Sequence, residues 1–320
     1  MASLDAYLYG MTVLSTIHRL SGELDPDGYG EIAETFVCPG GEAMNAAMLL
    51  SGLGLTTALG GPHWGTETRE VLSRYAKRYG IDVGGVMLDD GYPGVRDVVL
   101  VHGRHRAVLG WFGRYFTEGA RRWGDPDAEA ISRAQVVAVD PFFGDASVQA
   151  ARLAMAAGRP YVTIDCPYDG TLHAGAAATV VAREYRTQRY PGVPDAELLA
   201  RYTSGGKGLT IFTSGRDELR FARPGVLPET LPVFPVEVRS TLGAGDTFRA
   251  GVVYGILRRL PDRELVRFAA GLAAVVCTRM PIADHVPSLA EVEEFLRGRP
   301  GEPGSFTAAT PPRSARAPRP

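Results

Sequence analysis

The sequence predicts an α/β fold in which a mainly parallel central sheet is flanked by helices and a small β flap covers one side. Three observations lead to this prediction. Short apolar runs alternate with amphipathic stretches, one long amphipathic stretch repeats its apolar residues at steps of three and four, and two extended segments interrupt the alternation. Alternating strands and helices are typical of βα units, whose strands pair in parallel. With 320 residues the chain is long enough for one such domain with a small appendage.

The predicted elements follow one another in βα order. Strands are predicted at the apolar runs 7–14, 57–60, 135–140, 161–165, 179–182 and 209–214. Helices are predicted at 43–52, 67–79, 146–157, 250–257 and 262–277. The last helix has a single apolar stripe, which predicts that it packs against a sheet. This stripe consists of Leu265, Phe268, Ala269, Leu272, Val275 and Val276.

Two segments do not fit the alternation and instead resemble extended hairpins. They are residues 20–37 and 95–112, the second of which surrounds a polar turn. We expect them to form a flap, or lid, from about residues 15–37 and 93–113, within a domain that covers residues 1–297.

The end of the chain differs in composition from the rest. Residues 298–320 are rich in Pro, Gly, Ser and Arg and poor in apolar residues. Because so few apolar groups cannot offset the entropy of ordering, this segment is predicted to be a flexible tail.

Composition favours a small-molecule partner. The formal net charge is -2, so no overall field attracts nucleic acid or an anionic membrane. Cys38, Cys166 and Cys277 are far apart and lack metal-ligand spacing, which argues against disulfides and structural zinc. The sequence shows neither a signal peptide nor an apolar run approaching the roughly 20 residues of a membrane span. We therefore expect a cytoplasmic protein with no nucleic-acid or membrane partner.

One loop of small residues, 240–248, runs directly into a helical stretch. Gly243 and Gly245 allow the backbone to bring several N–H groups to one point, and the helix N-terminus adds a positive dipole. Such a loop can hold a phosphate and stabilise the charge on a transferring phosphoryl group. Asp246 lies at the start of this helix, where Asp is also a common N-cap. From the local sequence alone, the N-cap and the catalytic interpretation are both open.

The same loop resembles the signature of the ribokinase-like (PfkB) carbohydrate kinase family. That signature is an acidic residue, Thr, any residue, GAGD, Thr or Ser, and Phe; residues 241–248 match it and Ser240 departs from it. The resemblance implies a ribokinase-like fold with Asp246 as the base that takes the proton from an acceptor hydroxyl. It also implies an anion hole formed by the backbone of Gly243, Ala244 and Gly245.

A second element resembles the family's N-terminal GGxxxN signature. It consists of Gly40, Gly41 and Asn45, and the resemblance implies that Asn45 binds the hydroxyl groups of the acceptor. Paired glycines before a helix are more often a simple turn. Ser15, five residues after Gly10, stands where the family often has an Asp that binds sugar hydroxyls. A Ser donates as well as accepts, so the hydroxyl pattern of the acceptor is expected to be unusual.

The nucleotide side carries a weaker resemblance. Thr213 and Gly215 are similar to the family's TxGxxG loop, in which Glu218 replaces the second glycine. A tight turn between two strands is the alternative, and the local sequence favours it. The resemblance further implies that Thr241 and Gly271 contact the nucleotide.

The expected metal motif is incomplete. The family usually has NxxE after the strand that ends near residue 182, but residues 182–186 contain no Asn. Glu184 is the candidate to reach Mg²⁺ through water, and an ordinary exposed helix charge is the alternative. The resemblance implies ATP and Mg²⁺ and leaves a monovalent cation open.

Arg96 and other basic residues of the flap are candidates to bind the acceptor, including a phosphate already on it. A solvated hairpin is the alternative and explains an Arg-rich tip more simply.

Together these features predict an ATP-dependent kinase that phosphorylates a hydroxyl, preferably a hydroxymethyl group, of a sugar, nucleoside or related polyol. The alternative is a degenerate family member that binds sugar or nucleotide as a sensor. No Walker loop, dinucleotide GxGxxG loop or GxSxG elbow is present to favour the common α/β rivals. The resemblance also implies a homodimer formed through the lid.

Overall fold

A computed structural model describes residues 4–24, 27–103, 105–297 and 299. The strands are β1 (Leu4–Tyr9), β2 (Val13–Leu20), β3 (Ile32–Gly40), β4 (Thr57–Gly60), β5 (Trp64–Gly65), β6 (Leu88–Asp89), β7 (Arg96–His102), β8 (His105–Gly110), β9 (Ala134–Val139), β10 (Tyr161–Ile164), β11 (Ala178–Ala182), β12 (Leu209–Thr213), β13 (Leu219–Ala222) and β14 (Glu229–Leu231).

The helices in the same residues are α1 (Glu42–Gly52), α2 (Arg69–Arg78), α3 (Phe112–Thr117), α4 (Ala128–Arg133), α5 (Asp145–Ala156), α6 (Thr171–Gly175), α7 (Arg183–Arg189), α8 (Asp195–Gly205), α9 (Ala244–Leu257), α10 (Asp262–Cys277) and α11 (Leu289–Arg297).

The central sheet has, within the described residues, the strand order β14-β13-β12-β11-β10-β9-β1-β4. All neighbouring strands from β12 to β4 pair in parallel, and the antiparallel pairs are β12–β13 and β13–β14 at one edge. Parallel strands are buried on both faces, which explains why β9 and β11 are nearly continuous apolar runs. The predicted α/β fold with a mainly parallel sheet is therefore confirmed.

Helices cover both faces of the sheet because successive side chains of a strand point in opposite directions. Ala6 and Leu8 of β1 belong to the core cluster that includes residues of α1, α9 and α10. Tyr7 and Tyr9 belong to the other cluster, which includes residues of α4 and α5. The long helix α10 has the bounds that its apolar stripe predicted.

The lid is a second sheet with the order β3-β2-β7-β8. Strands β2 and β7 are parallel neighbours at its centre, and β3 and β8 flank them antiparallel. The first arm begins at Val13, so the hairpin expected at 20–37 is instead a connection followed by the return strand β3. The second arm, β7 and β8, lies within the predicted segment 95–112.

The predicted strand 7–14 is wrong, because the chain leaves the central sheet after Tyr9 and enters the lid at Val13. The break occurs at Gly10, where a Cβ atom would lie 1.9 Å from Asp140 Oδ2. Only glycine therefore fits here beside Asp140, which lies 130 positions away in the sequence.

The predicted tail, 298–320, lies outside the described residues apart from Arg299. Within the described part of the chain, none of the helices combines the length and apolar character that a membrane span requires.

Candidate active site

A cavity of about 320 Å³ lies between the inner face of the lid and the N-termini of α1 and α9. Most of its wall is apolar. The polar side chains in this wall are Ser15, Glu42, Asn45, Asp97 and Asp246. The cavity therefore contains Ser15, Asn45 and Asp246, which lie far apart in the sequence but were all predicted as site residues.

The paired glycines before α1 bring the backbone close to two other segments. Gly41 has a φ of 87°, and a Cβ atom there would lie 2.6 Å from the carbonyl oxygen of Met11. A Cβ atom on Gly40 would lie 2.4 Å from Ser15 Oγ. This close approach lets α1 start beside the lid, and it buries Asn45 one turn into the helix.

The loop before α9 places Asp246 inside the cavity. Gly243, in the left-handed region with a φ of 71°, is the N-cap, so α9 begins six residues earlier than the predicted helix. Asp246 lies in the first turn and makes no capping hydrogen bond, so the N-cap interpretation is wrong. Its Oδ2 instead accepts a hydrogen bond of 2.8 Å from Asn45 Nδ2. The first N–H groups of a helix lack intrahelical partners, so this turn offers donors to an anion.

The electrostatic surroundings make Asp246 a stronger base than an ordinary carboxylate. Burial raises the pKa of Asp246, and Asp140 adds to this increase. The hydrogen bond from Asn45 and the charges of Arg249 and Arg106 oppose it. A carboxylate with a raised pKa accepts a hydroxyl proton more readily near neutral pH.

Glu42, at the start of α1, has a pKa well above its ordinary value because of burial, Asp246 and Asp140, in that order. The carboxylates of Glu42 and Asp246 therefore repel each other, so a cation close to them would be bound favourably.

A buried ion pair that the sequence reasoning missed lies behind Asp246. Arg249 and Asp140 are both fully buried, and Arg249 Nη1 binds Asp140 Oδ1. Asp140 Oδ2 also accepts a hydrogen bond of 2.7 Å from the backbone N–H of Met11. Arg249 Nε and Nη2 have no hydrogen-bond partner among the described residues, and the guanidinium charge acts on Asp246 and Glu42. The available signal was an arginine within the otherwise apolar sequence of α9.

The lid also reaches the glycine loop through Arg106 of β8. Arg106 Nη1 donates a hydrogen bond of 3.1 Å to Thr241 Oγ1, and its charge lowers the pKa of Asp246. The sequence reasoning had favoured a solvated hairpin tip for this residue. The side chain is exposed, as that interpretation requires, but it also contacts Thr241 of the glycine loop.

The predicted nucleotide loop is a turn between β12 and the antiparallel β13, with Gly215 at a φ of 65°. Arg186 holds the preceding strand end in place. Its Nη1 donates to the carbonyl oxygens of Val181 and Thr213 at 2.7 and 3.1 Å, and its Nε lies 3.0 Å from Asp195 Oδ1. The turn interpretation is correct, and a turn at this sheet edge is compatible with nucleotide binding.

Asp165 and Glu184 lie near the stretch 182–186, where the metal motif was expected. Asp165 Oδ1 accepts a hydrogen bond of 2.7 Å from the backbone N–H of Ala182. Burial raises the pKa of Asp165 to about 6, and the charges of Glu184 and Asp246 add to the increase. Glu184 is exposed in the first turn of α7.

The described residues contain no group of three His, Cys, Asp or Glu side chains that could hold a metal by itself. The carboxylates of Asp165 and Glu184 repel each other, so a cation between them would be favoured. They fit Mg²⁺ because this ion needs few carboxylate ligands and completes its shell with water and phosphate oxygens.

Comparison with known families decides which group of proteins shares this arrangement. The profile of the pfkB family carbohydrate kinases matches residues 19–288, which is most of the chain. The chain belongs to the PfkB family. The resemblance found in the glycine loop is therefore confirmed for the domain as a whole.

Curated PfkB relatives carry two different names. A 5-dehydro-2-deoxygluconokinase of Geobacillus kaustophilus is 33% identical over 64 residues, which are 20% of this chain and 19% of the relative. The chain thus matches about a fifth of the length of that relative. A nucleoside kinase of Methanothermobacter thermautotrophicus is 24% identical over 90% of this chain and 94% of the relative.

Solved structures of PfkB-type kinases share the fold. A putative ribokinase from Agrobacterium tumefaciens has a TM-score of 0.81 at 21% identity, with 93% of this chain and 98% of that chain covered. An Arabidopsis thaliana ribokinase complexed with ribose and ATP has a TM-score of 0.77 at 19% identity, covering 93% and 99%. The predicted ribokinase-like fold is confirmed.

Two predicted site residues of this PfkB protein lie away from the cavity. Arg96 begins β7, and its side chain lies on the outer face of the lid. There it pairs with Glu67 and packs over the ring of Trp111 at 5.3 Å. Gly271 is buried in α10, and a Cβ atom there would lie 2.5 Å from a methyl carbon of Leu296 in α11. Arg96 therefore lies outside the cavity that it was predicted to line. Gly271, predicted as a nucleotide contact, packs against α11, and its nucleotide role stays a prediction.

Proposed function

We propose that this PfkB protein transfers a phosphoryl group from ATP to a hydroxyl of a sugar, nucleoside or related polyol. The observation that carries the proposal is the position of Asp246. This carboxylate lies in the first turn of α9, lines the cavity under the lid, and is held by Asn45 at 2.8 Å. A base and an anion-binding helix N-terminus thus occur at the same point, which is the combination that phosphoryl transfer needs.

In the proposed reaction, the acceptor hydroxyl lies against Asp246, which removes its proton as the oxygen attacks the terminal phosphorus of ATP. The bond between that phosphorus and the bridging oxygen breaks, and ADP leaves. The backbone N–H groups of residues 243–245 stabilise the charge on the transferring group. Asn45 fixes the carboxylate by donating to Oδ2, which leaves Oδ1 for the hydroxyl. The raised pKa of Asp246 matches a proton transfer near neutral pH.

The nucleotide is proposed to lie across the turn at Thr213 and Gly215 and to contact Thr241. Asp165 and Glu184 would hold Mg²⁺ through water and nucleotide phosphates, and the ion would supply positive charge to the phosphate oxygens. These two residues face the same edge of the sheet, because each follows a parallel strand.

The lid has a separate proposed task, which is to exclude water from the transfer. Its inner face is mostly apolar and closes over the cavity, and Arg106 joins its edge to Thr241 at 3.1 Å. An excluded-water site prevents wasteful hydrolysis of ATP. The missing Asn of the NxxE motif is the argument for the sensor alternative, and the intact glycine loop with Asp246 in the cavity is the argument against it.

A homodimer through the lid and a cytoplasmic location are proposed with the same function. The lid strand β8 is exposed along its whole length, and it carries Val108 and Leu109 with 43% and 56% exposure. An exposed apolar edge strand favours pairing with another copy. We expect light scattering to give the mass of a dimer for the wild type and the mass of a monomer for Leu109→Lys. A wild type with the mass of a monomer contradicts this arrangement.

The function is tested by measuring ATP consumption with a panel of sugars, nucleosides and polyols, in the presence and absence of Mg²⁺. We expect at least one acceptor to be phosphorylated with Mg²⁺, and none after chelation with EDTA. Binding of acceptor and ATP without any product in the whole panel contradicts a kinase and favours the sensor.

A further inference from the structure

The inner face of the lid carries one polar pair in an apolar surface. Val13, Ser15 and Ile17 alternate along β2 and line the cavity, and Asp97 and Val99 do the same on β7. Ser15 and Asp97 are direct register partners of these parallel strands. Arg106 of β8, the register partner of Val101, lies on the same face but reaches toward Thr241, so Ser15 and Asp97 are the polar side chains that the lid adds to the lining of the cavity itself.

Asp97 is a buried carboxylate with an unused oxygen. Its exposure is 8%, and Oδ1 has no hydrogen-bond partner among the described residues. Burial raises the pKa of Asp97 to about 6, against the hydrogen bond from Ser15, which lowers it. Leaving a buried acceptor without a donor costs about 1–3 kcal/mol. A side chain of this kind that faces a cavity indicates a donor supplied by the ligand.

The charges around the cavity restrict that ligand further. The described residues that line it include Glu42, Asp97 and Asp246 but no Lys, Arg or His. The nearby cations lie at the Asp246 end: Arg249 is bound to Asp140, and Arg106 is bound to Thr241. Arg106 keeps its charge at that end, because Thr241 is neutral. An acceptor whose own phosphate or carboxylate lies at the Asp97 end would instead meet Asp97 without a matching cation among the described lining residues.

The rest of the wall is apolar and aromatic. Phe112, Phe116 and Phe142 line the cavity together with Leu242 and Ile282. Aromatic side chains pack well against the apolar face of a ring. The occupant thus has one apolar face and at least one donor group on its edge.

We propose that Asp97, fixed by Ser15, binds a hydroxyl or N–H donor of an uncharged acceptor, and that the cavity rejects phosphorylated and carboxylate-bearing acceptors. This inference rests on the proposed kinase function and narrows its substrate class. It assigns Asp97 as a specificity-determining residue.

The first test compares neutral acceptors with anionic counterparts of the same shape. Ribose, fructose, glucose and adenosine are compared with ribose 5-phosphate, fructose 6-phosphate, gluconate and AMP, with ATP consumption as the readout. We expect every acceptor with measurable turnover to come from the neutral set. Higher kcat/KM for an anionic member than for its neutral counterpart overturns the proposal.

The second test uses Asp97→Asn and Asp97→Ser with the best neutral acceptor. We expect KM to rise about 10- to 100-fold, because a hydrogen bond to a charged group is lost, while kcat changes less than about threefold. Asp90→Asn, whose side chain is 83% exposed, is the matched control and leaves KM unchanged. Unchanged KM in both Asp97 variants contradicts the assignment.

Calorimetry without ATP separates this inference from the kinase function. If the wild type phosphorylates nothing, the proposed function fails, but binding of adenosine or ribose still tests Asp97. Binding of a neutral compound that weakens by about 10-fold or more in Asp97→Asn supports the proposal. Equal binding by the wild type and a folded Asp97→Asn, with melting checked by circular dichroism, overturns it.

Discussion

Two buried carboxylates in different regions of the molecule have opposite surroundings. Asp140, at the end of central strand β9, binds Arg249 through one oxygen and the N–H of Met11 through the other. Asp97, in the lid, has Ser15 on one oxygen and no partner among the described residues on Oδ1. A buried charge that stabilises a fold is paired, because an unpaired one is costly. We therefore infer that Asp140 positions the site, whereas Asp97 has an oxygen free to bind a ligand.

Breaking the central pair is expected to have the largest effect on stability. Arg249→Met leaves Asp140 charged and fully buried, so the free energy of unfolding should fall by about 3–5 kcal/mol in urea denaturation. Asp140→Asn combined with Arg249→Met removes both charges and should recover a large part of that loss. A single variant as stable as the wild type contradicts the structural role of this pair.

The lid carboxylate is expected to respond in the opposite direction. Asp97→Asn should raise the free energy of unfolding of the ligand-free protein by about 1–3 kcal/mol at pH 7, since an unpaired buried charge disappears. The folded pKa of about 6 lies above the ordinary value of 3.8, so this charge weakens the fold only as the pH rises. The wild type and Asp97→Asn should therefore have similar free energies of unfolding near pH 4, and the difference between them should grow up to about pH 6. Destabilisation by Asp97→Asn at pH 7 would place this carboxylate in the same class as Asp140.

A smaller effect is expected at the contact between the lid and the glycine loop. Arg106 lowers the pKa of Asp246, so Arg106→Ala should move the acid limb of the pH profile of kcat/KM to higher pH. We expect kcat to fall about three- to tenfold as the contact with Thr241 is lost. Arg114→Ala, an exposed substitution on α3, is the matched control. An acid limb that stays in place shows that Arg106 has no electrostatic influence on the base.

The sequence was sufficient to predict those features that depend on local backbone geometry. The glycines of residues 240–248 and the pair at 40–41 identified two helix starts, and the structure brings both to one cavity. The helix α10 was correct to the residue, because its apolar stripe depends only on spacing. The predicted strands from 57–60 to 209–214 agree with the observed bounds to within one residue, whereas the strand predicted at 7–14 and the helix start predicted at residue 250 were wrong.

The remaining features depend on partners that are distant in the chain. Beyond the end of β1, Asp140 lies against Gly10 and leaves no room for a side chain there, which no local pattern reveals. Asp97 is one acidic residue within an alternating strand, and its meaning appears only when Ser15 becomes its register partner. Arg249 is similar, because a charge in a buried helix is informative only once its partner is known.

The central claim, that Asp246 is the base of a phosphoryl transfer, is tested most directly by the turnover of Asp246→Asn. Asn keeps the shape of the side chain and the contact with Asn45 but cannot take a proton. We predict that kcat falls by at least ~100-fold with the best acceptor of the panel. The melting temperature should match that of the wild type, and the affinity for ATP should stay within about twofold of the wild-type value. Turnover close to that of the wild type in a folded Asp246→Asn protein contradicts the assignment.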